Sequence, residues 1–213
     1  MDFFAIISVI LHIFITSKSY NLICNTTRKE QYFFIFYTVI VEFVVEFFFY
    51  SIYLSGLGIE KFLYPFILYA YFIWFKKFDK YRGVFLSFLL SLLYHSTHTF
   101  IAVTLSSITG DELALHYESI FFLVVLLLTY FAILIIIRYF YLEIKYFDKD
   151  YLYPFFKKVI VAFVFLHTLS FVSDIVSTVR HLNSFGSILS TIVFICLLLI
   201  FFAMNSHKVQ IEK

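Results

Sequence analysis

Proline and glycine are nearly missing. Among 213 residues there are 2 Pro and 5 Gly, and because these residues punctuate turns and linkers, their scarcity leaves little material for a boundary between domains. A single domain is expected. Charge is scarce as well: charged residues make up 14% of the chain and hydrophobic ones 62%, against about 25% and about 45–50% in an ordinary soluble domain. So little polar surface cannot clothe a globule in water, which excludes a soluble enzyme or binding module. Two cysteines, Cys24 and Cys196, lie far apart and outside any CxxC spacing, so neither a zinc site nor a redox pair is indicated. The start, Met1-Asp2-Phe3-Phe4, has no basic stretch, and no small-residue cleavage site follows the first apolar run. That run is expected to stay as a span and not to be removed as a signal peptide. No Gly-rich phosphate loop, nucleophile elbow or basic nucleic-acid patch occurs. No cofactor, metal or nucleic-acid partner is expected.

What is present is long apolar runs. A helix crossing a bilayer needs about 20 mostly apolar residues, and seven such runs lie near 3–17, 32–54, 62–75, 84–105, 119–138, 159–178 and 187–204. The first run can continue through Ser19-Tyr20-Asn21-Leu22-Ile23. Strands of a membrane barrel would alternate apolar and polar residues, whereas these runs are apolar on nearly all sides. The expected fold is an all-α integral membrane protein: a bundle of about seven transmembrane helices over residues 1–204, followed by the start of a cytoplasmic helix over 205–213.

The basic residues set the orientation. With the N-terminus outside, Lys18, Arg28, Lys29, Lys76, Lys77, Lys80, Arg82, Arg138, Lys145, Lys149, Lys157, Lys158, Lys208 and Lys213 fall inside, and only Lys61 and Arg180 fall outside. Fourteen against two is a strong positive-inside bias, and adding or losing one span would scramble it. The predicted location is therefore the cell membrane, multi-pass, with the C-terminus cytoplasmic. Trp74, the only tryptophan, precedes Phe75-Lys76-Lys77 at the inner end of the third span, where an interfacial anchor belongs. Pro65 and Pro154 are expected at helix starts, where a missing N–H costs little.

The predicted outer face is acidic, with Asp111, Glu112 and Glu118 in its longest loop and Asp174 near the outer end of the sixth span. Such a surface favours cationic ligands, although depleting Lys and Arg outside leaves acids behind on topological grounds alone. Within the spans, Glu42 and Glu46 share one helix face, as do His95 and His98. At about 1.5 Å per residue, Glu42 and His95 stand roughly 15–17 Å from the inner ends, and Glu46 and His98 roughly 21 Å. Ionisable groups at that depth face a bundle interior or a wet cavity. One reading is a ligand chamber between spans two, four and six, built from Glu46, His95, His98 and Asp174 with Glu42 at its floor. The other is a set of interhelical hydrogen bonds that hold the bundle together. His12 and His167, taken singly, read as structural.

Metal chemistry finds no support in spacing, since there is no His-Glu-x-x-His and no adjacent Glu-Glu with a following Arg. Two segments stand out beside the seven-span organisation: Leu68-Tyr69-Ala70-Tyr71-Phe72-Ile73-Trp74-Phe75-Lys76-Lys77 and the last span with its exit, Ser206-His207-Lys208-Val209-Gln210. On these the chain resembles the sensor region of Gram-positive peptide-pheromone receptor histidine kinases of the ComD and BlpH kind, with AgrC more distant. The resemblance implies an extracellular peptide ligand, a homodimer in the lipid bilayer, quorum sensing through a two-component system, and a signal passed through the last helix. It would imply a cytoplasmic response regulator only if a kinase domain followed. The chain lacks the phosphoacceptor box and ATP-binding domain of that family, and His207 lacks the neighbouring Asp, so no kinase activity is expected from it alone. Two rivals are a small transporter using Glu42 and Glu46 as a cation or proton path, and an intramembrane peptidase. Against the transporter, no inverted repeat or Gly- or Pro-broken helix pair is found.

Overall fold

The computed structural model describes the backbone of residues 3–51, 59–109, 120–141, 144, 153–180 and 183–211. Seven α-helices and no strands are found among these residues. They are α1 (Phe3–Cys24), α2 (Arg28–Ser51), α3 (Ile59–Trp74), α4 (Lys80–Thr109), α5 (Ile120–Tyr139), α6 (Tyr153–Arg180) and α7 (Asn183–Ile211). Within the described residues, each of the seven apolar runs falls on one helix. The first run does continue through Ile23, and the last helix continues past residue 204. By length and composition, one stretch among the described residues, Lys80–Leu105 in α4, is long and apolar enough to cross a membrane. Phe62–Trp74, Leu123–Tyr139 and Thr191–Met204 are shorter apolar helices.

Local chemistry fixes the helix ends. Thr27 and Glu30 form a capping box at the start of α2: the Thr27 N–H donates to Glu30 Oε2 at 2.8 Å and the Glu30 N–H to Thr27 Oγ1 at 3.4 Å. Asp79 caps α4 by accepting the Tyr81 N–H at 2.9 Å. Asn25 and Lys77, both at φ 51°, turn the chain out of α1 and α3 in the left-handed conformation that commonly ends a helix. Pro154 sits in the first turn of α6 as expected, but Pro65 lies well inside α3, which begins at Ile59. It removes the bond that the Lys61 carbonyl would accept. One residue further on, His167 of α6 brings Nε2 to 3.2 Å from the Phe62 carbonyl, so a side chain attends to backbone in the turn that the proline weakens.

α4 is the axis of the bundle. It packs on α1, α3, α5, α6 and α7, whereas α2 makes its main contacts with α1 and α3. Accordingly Phe85, Leu86, Leu89, Leu92 and Leu93 of α4 are buried. The approach to α3 is close at Gly83, where a Cβ would stand 3.0 Å from Ile73 Cδ1 and 3.3 Å from the Tyr69 ring. At the α1–α2 turn, Tyr20, Phe34, Tyr71 and Phe72 form a buried aromatic knot, with Tyr20 and Phe34 ring centroids 4.7 Å apart and Phe34 and Tyr71 5.0 Å apart. Tyr37 fastens α2 to α3 there by donating its hydroxyl to the Ile67 carbonyl at 3.0 Å.

Candidate functional site

Three helices bring histidine and tyrosine rings together around the middle of α4, and a fourth adds a hydroxyl. Tyr94, His95 and His98 come from α4, His12 from α1, Tyr64 from α3, and α5 adds Thr129. His12 lies flat against Tyr94, with centroids 3.8 Å apart and planes 22° from parallel. Tyr94 is in turn near-parallel to His98, at 5.6 Å and 6°. Tyr64 stands 4.8 Å from His12 and edge-on to His95 at 5.8 Å, and His12 and His95 are 5.8 Å apart. Three imidazoles and two phenols therefore occupy one continuous cluster.

A hydroxyl of α5 meets the His98 ring. Thr129 has a single hydroxyl hydrogen, which it donates to the Val125 carbonyl at 2.7 Å. The same Oγ1 lies 3.4 Å from His98 Nδ1, a contact in which donor and acceptor roles follow the tautomer of the imidazole. Around the rings, α4 buries the hydroxyls of Ser91, Ser96 and Thr97, which have no hydrogen-bond partner among the described residues. Small hydroxyl residues let helices approach closely, which is how α4 packs on so many neighbours.

The sequence-predicted site residues divide into three groups. His95 and His98 are brought together in the cluster described above. Glu42 and Glu46 fall in α2 and Asp174 in α6, but their side chains lie outside the described residues. Asp111, Glu112 and Glu118 lie outside them altogether. The partners seen at His95 and His98 come from α1, α3 and α5. His12, read singly as structural, is a central member of the cluster. Tyr64 and Thr129 carried no signal in the sequence, because an apolar run does not show which helix stands beside which. His167 is held apart on α6, its ring against Phe62 at 5.8 Å and edge-on to Phe88 at 5.5 Å. It ties α6 to α3 and α4.

In chemical terms the cluster offers ring faces and imidazole hydrogen bonds. Among the described residues no group of three or more His, Cys, Asp or Glu is placed to hold a metal ion, and Cys24 and Cys196 are not joined in a disulfide. No family model, curated protein or solved structure matches this chain.

Proposed function

We propose that this chain is the multi-pass membrane sensor region of a peptide-pheromone receptor, with its N-terminus outside and its signal leaving along α7. The observation that carries the coupling is the double engagement of α4. This helix holds His95 and His98 in the ring cluster and also packs on α7, where Phe100 stacks on Phe194 at 4.4 Å and 11°. A ligand that favours one arrangement of the rings thereby biases the position of the last helix, and the size of the bias is its difference in affinity for the two arrangements. α7 runs to Ile211, beyond the apolar stretch Thr191–Met204. A kinase joined to that helix would read its position and pass phosphate to a response regulator.

The membrane assignment is supported by the fourteen-to-two distribution of basic residues and by apolar side chains around the outside of the bundle. Phe36, Ile135 and Phe165 are each more than 60% exposed, a surface that suits lipid and would promote association in water. The ligand is an extracellular peptide of cationic or amphipathic character, drawn to Asp111, Glu112 and Glu118 and reaching Glu42, Glu46, His95, His98 and Asp174. The test is to embed the chain in lipid nanodiscs and titrate it with a panel of synthetic cationic amphipathic peptides. Saturable binding of at least one peptide, weakened about tenfold or more by His98→Ala or Glu46→Gln, is expected. If every peptide partitions equally into protein-free nanodiscs, the proposal fails.

A further inference from the structure

Where α2 begins and α3 ends, an open cleft of about 380 Å³ is lined by Lys29, Glu30, Phe33, Tyr71, Phe75 and Lys76. Its apolar wall is built of rings: Phe33 and Phe75 meet edge to face at 5.2 Å, and Tyr71 stands 5.9 Å from Phe75. Its polar wall has an excess of positive charge. Lys76, largely buried along its length, is ion-paired with Glu30, and the exposed Lys29 lines the cleft with no ion pair among the described residues. Arg28 and Lys77, also exposed, flank it in the chain. The N–H groups of Thr27 and Glu30 are already taken by the capping box, which leaves the lysine side chains as the charged groups that meet an anion here. Phe33 and Phe36, both exposed, lead away from the cleft along α2.

We infer that this cleft is a binding site for an anionic phospholipid of the inner leaflet. Its phosphodiester meets Lys29 and the Lys76–Glu30 pair, and its acyl chain lies along Phe33 and Phe36. The inference rests on the membrane reading above, because only then does this end of the bundle lie at the headgroup level. It has two physical parts. A phosphate is attracted by each basic residue near the membrane surface, and ring side chains settle at the boundary between headgroups and acyl chains. Glu30 tempers the site, since it neutralises the cation nearest the ring wall.

Trp74, the sole tryptophan, is 72% exposed and stands one residue before the cleft lining at Phe75, so its fluorescence reports the lipid gathered at this end of α3. The full chain is reconstituted in bilayers containing equal fractions of bromine-labelled phosphatidylglycerol or bromine-labelled phosphatidylcholine, and quenching of Trp74 is compared. Stronger quenching by the anionic lipid is expected, with the preference reduced about fivefold by Lys29→Ala, raised by Glu30→Gln, and unchanged by Lys158→Ala, an exposed lysine on α6. Equal quenching by both lipids, or an equal loss of preference from Lys158→Ala, overturns the site and leaves the membrane reading standing. Absence of quenching by either lipid overturns both. Inorganic phosphate added in excess is expected to leave the preference intact, and its abolition would identify a free-phosphate site in place of a lipid one.

Discussion

His12 of α1 lies flat against Tyr94 of α4, their ring centroids 3.8 Å apart and their planes 22° from parallel. This contact joins the first helix to the axis of the bundle, and Tyr94 extends it to His98. Stacked rings contribute about 0.5–1.5 kcal/mol beyond the area they bury, and deleting a buried ring leaves a cavity. Tyr94→Ala is expected to cost about 3–5 kcal/mol of stability. Tyr94→Phe, which keeps both ring faces, should cost about 1 kcal/mol. Thermal unfolding of the two variants in the same detergent checks the difference.

Glu30 carries a pH signature. The hydrogen bond from Lys76, followed by the Thr27 N–H, lowers its pKa from 4.5 to about 2. A carboxylate whose folded pKa is depressed stabilises above its unfolded value, and that contribution is lost as pH falls through the folded pKa. Because the side chain is 41% exposed, solvent screens the pair, and its contribution is about 0.2–1 kcal/mol. Glu30→Gln should therefore be less stable than the parent at neutral pH. The two melting curves should converge as pH falls from 4.5 to about 2.

Gly83 permits the contact between α3 and α4. An added methyl meets the mobile end of Ile73 and can be absorbed, while the gain in helix propensity, about 1 kcal/mol, works in its favour. Gly83→Ala should be close to neutral. Gly83→Leu has no room beside the Tyr69 ring and should cost about 1–3 kcal/mol by overpacking. Chemical denaturation of both variants measures the contrast.

If α4 transmits to α7 through Phe100 and Phe194, then Phe194→Ala should separate binding from response. Peptide affinity in nanodiscs should stay within about threefold of the parent, while the ligand-induced change at a spin label on exposed Ser206 should disappear. Cys24 and Cys196, which form no disulfide, are replaced by alanine for this measurement so that the label attaches at one site.

The helices were legible because runs such as 84–105 and 187–204 are long, apolar and unbroken, and each falls within a helix. The Thr27–Glu30 capping box that starts α2 came from the structure, where its side-chain to backbone bonds are formed. Neighbour relations were not legible. Counting residues along a helix gives a height, which set His95 level with Glu42, but it gives no azimuth, and runs apolar on every side have no stripe to reveal one. That is why His12 and Tyr64 at the cluster emerge only from the fold. Pro65 escaped for a related reason: α3 extends before its apolar run, back to Ile59, so a residue near the start of the run is interior to the helix.

Orientation in the membrane is the claim on which the sensor reading depends. It is tested by single-cysteine variants, Lys77→Cys and Glu112→Cys, in a background with Cys24 and Cys196 replaced by alanine, treated with a membrane-impermeant maleimide on intact cells. The account predicts that Glu112→Cys is labelled at once and Lys77→Cys only after the membrane is opened. Labelling of Lys77→Cys on intact cells with Glu112→Cys protected, or recovery of the chain outside the membrane fraction, would contradict it.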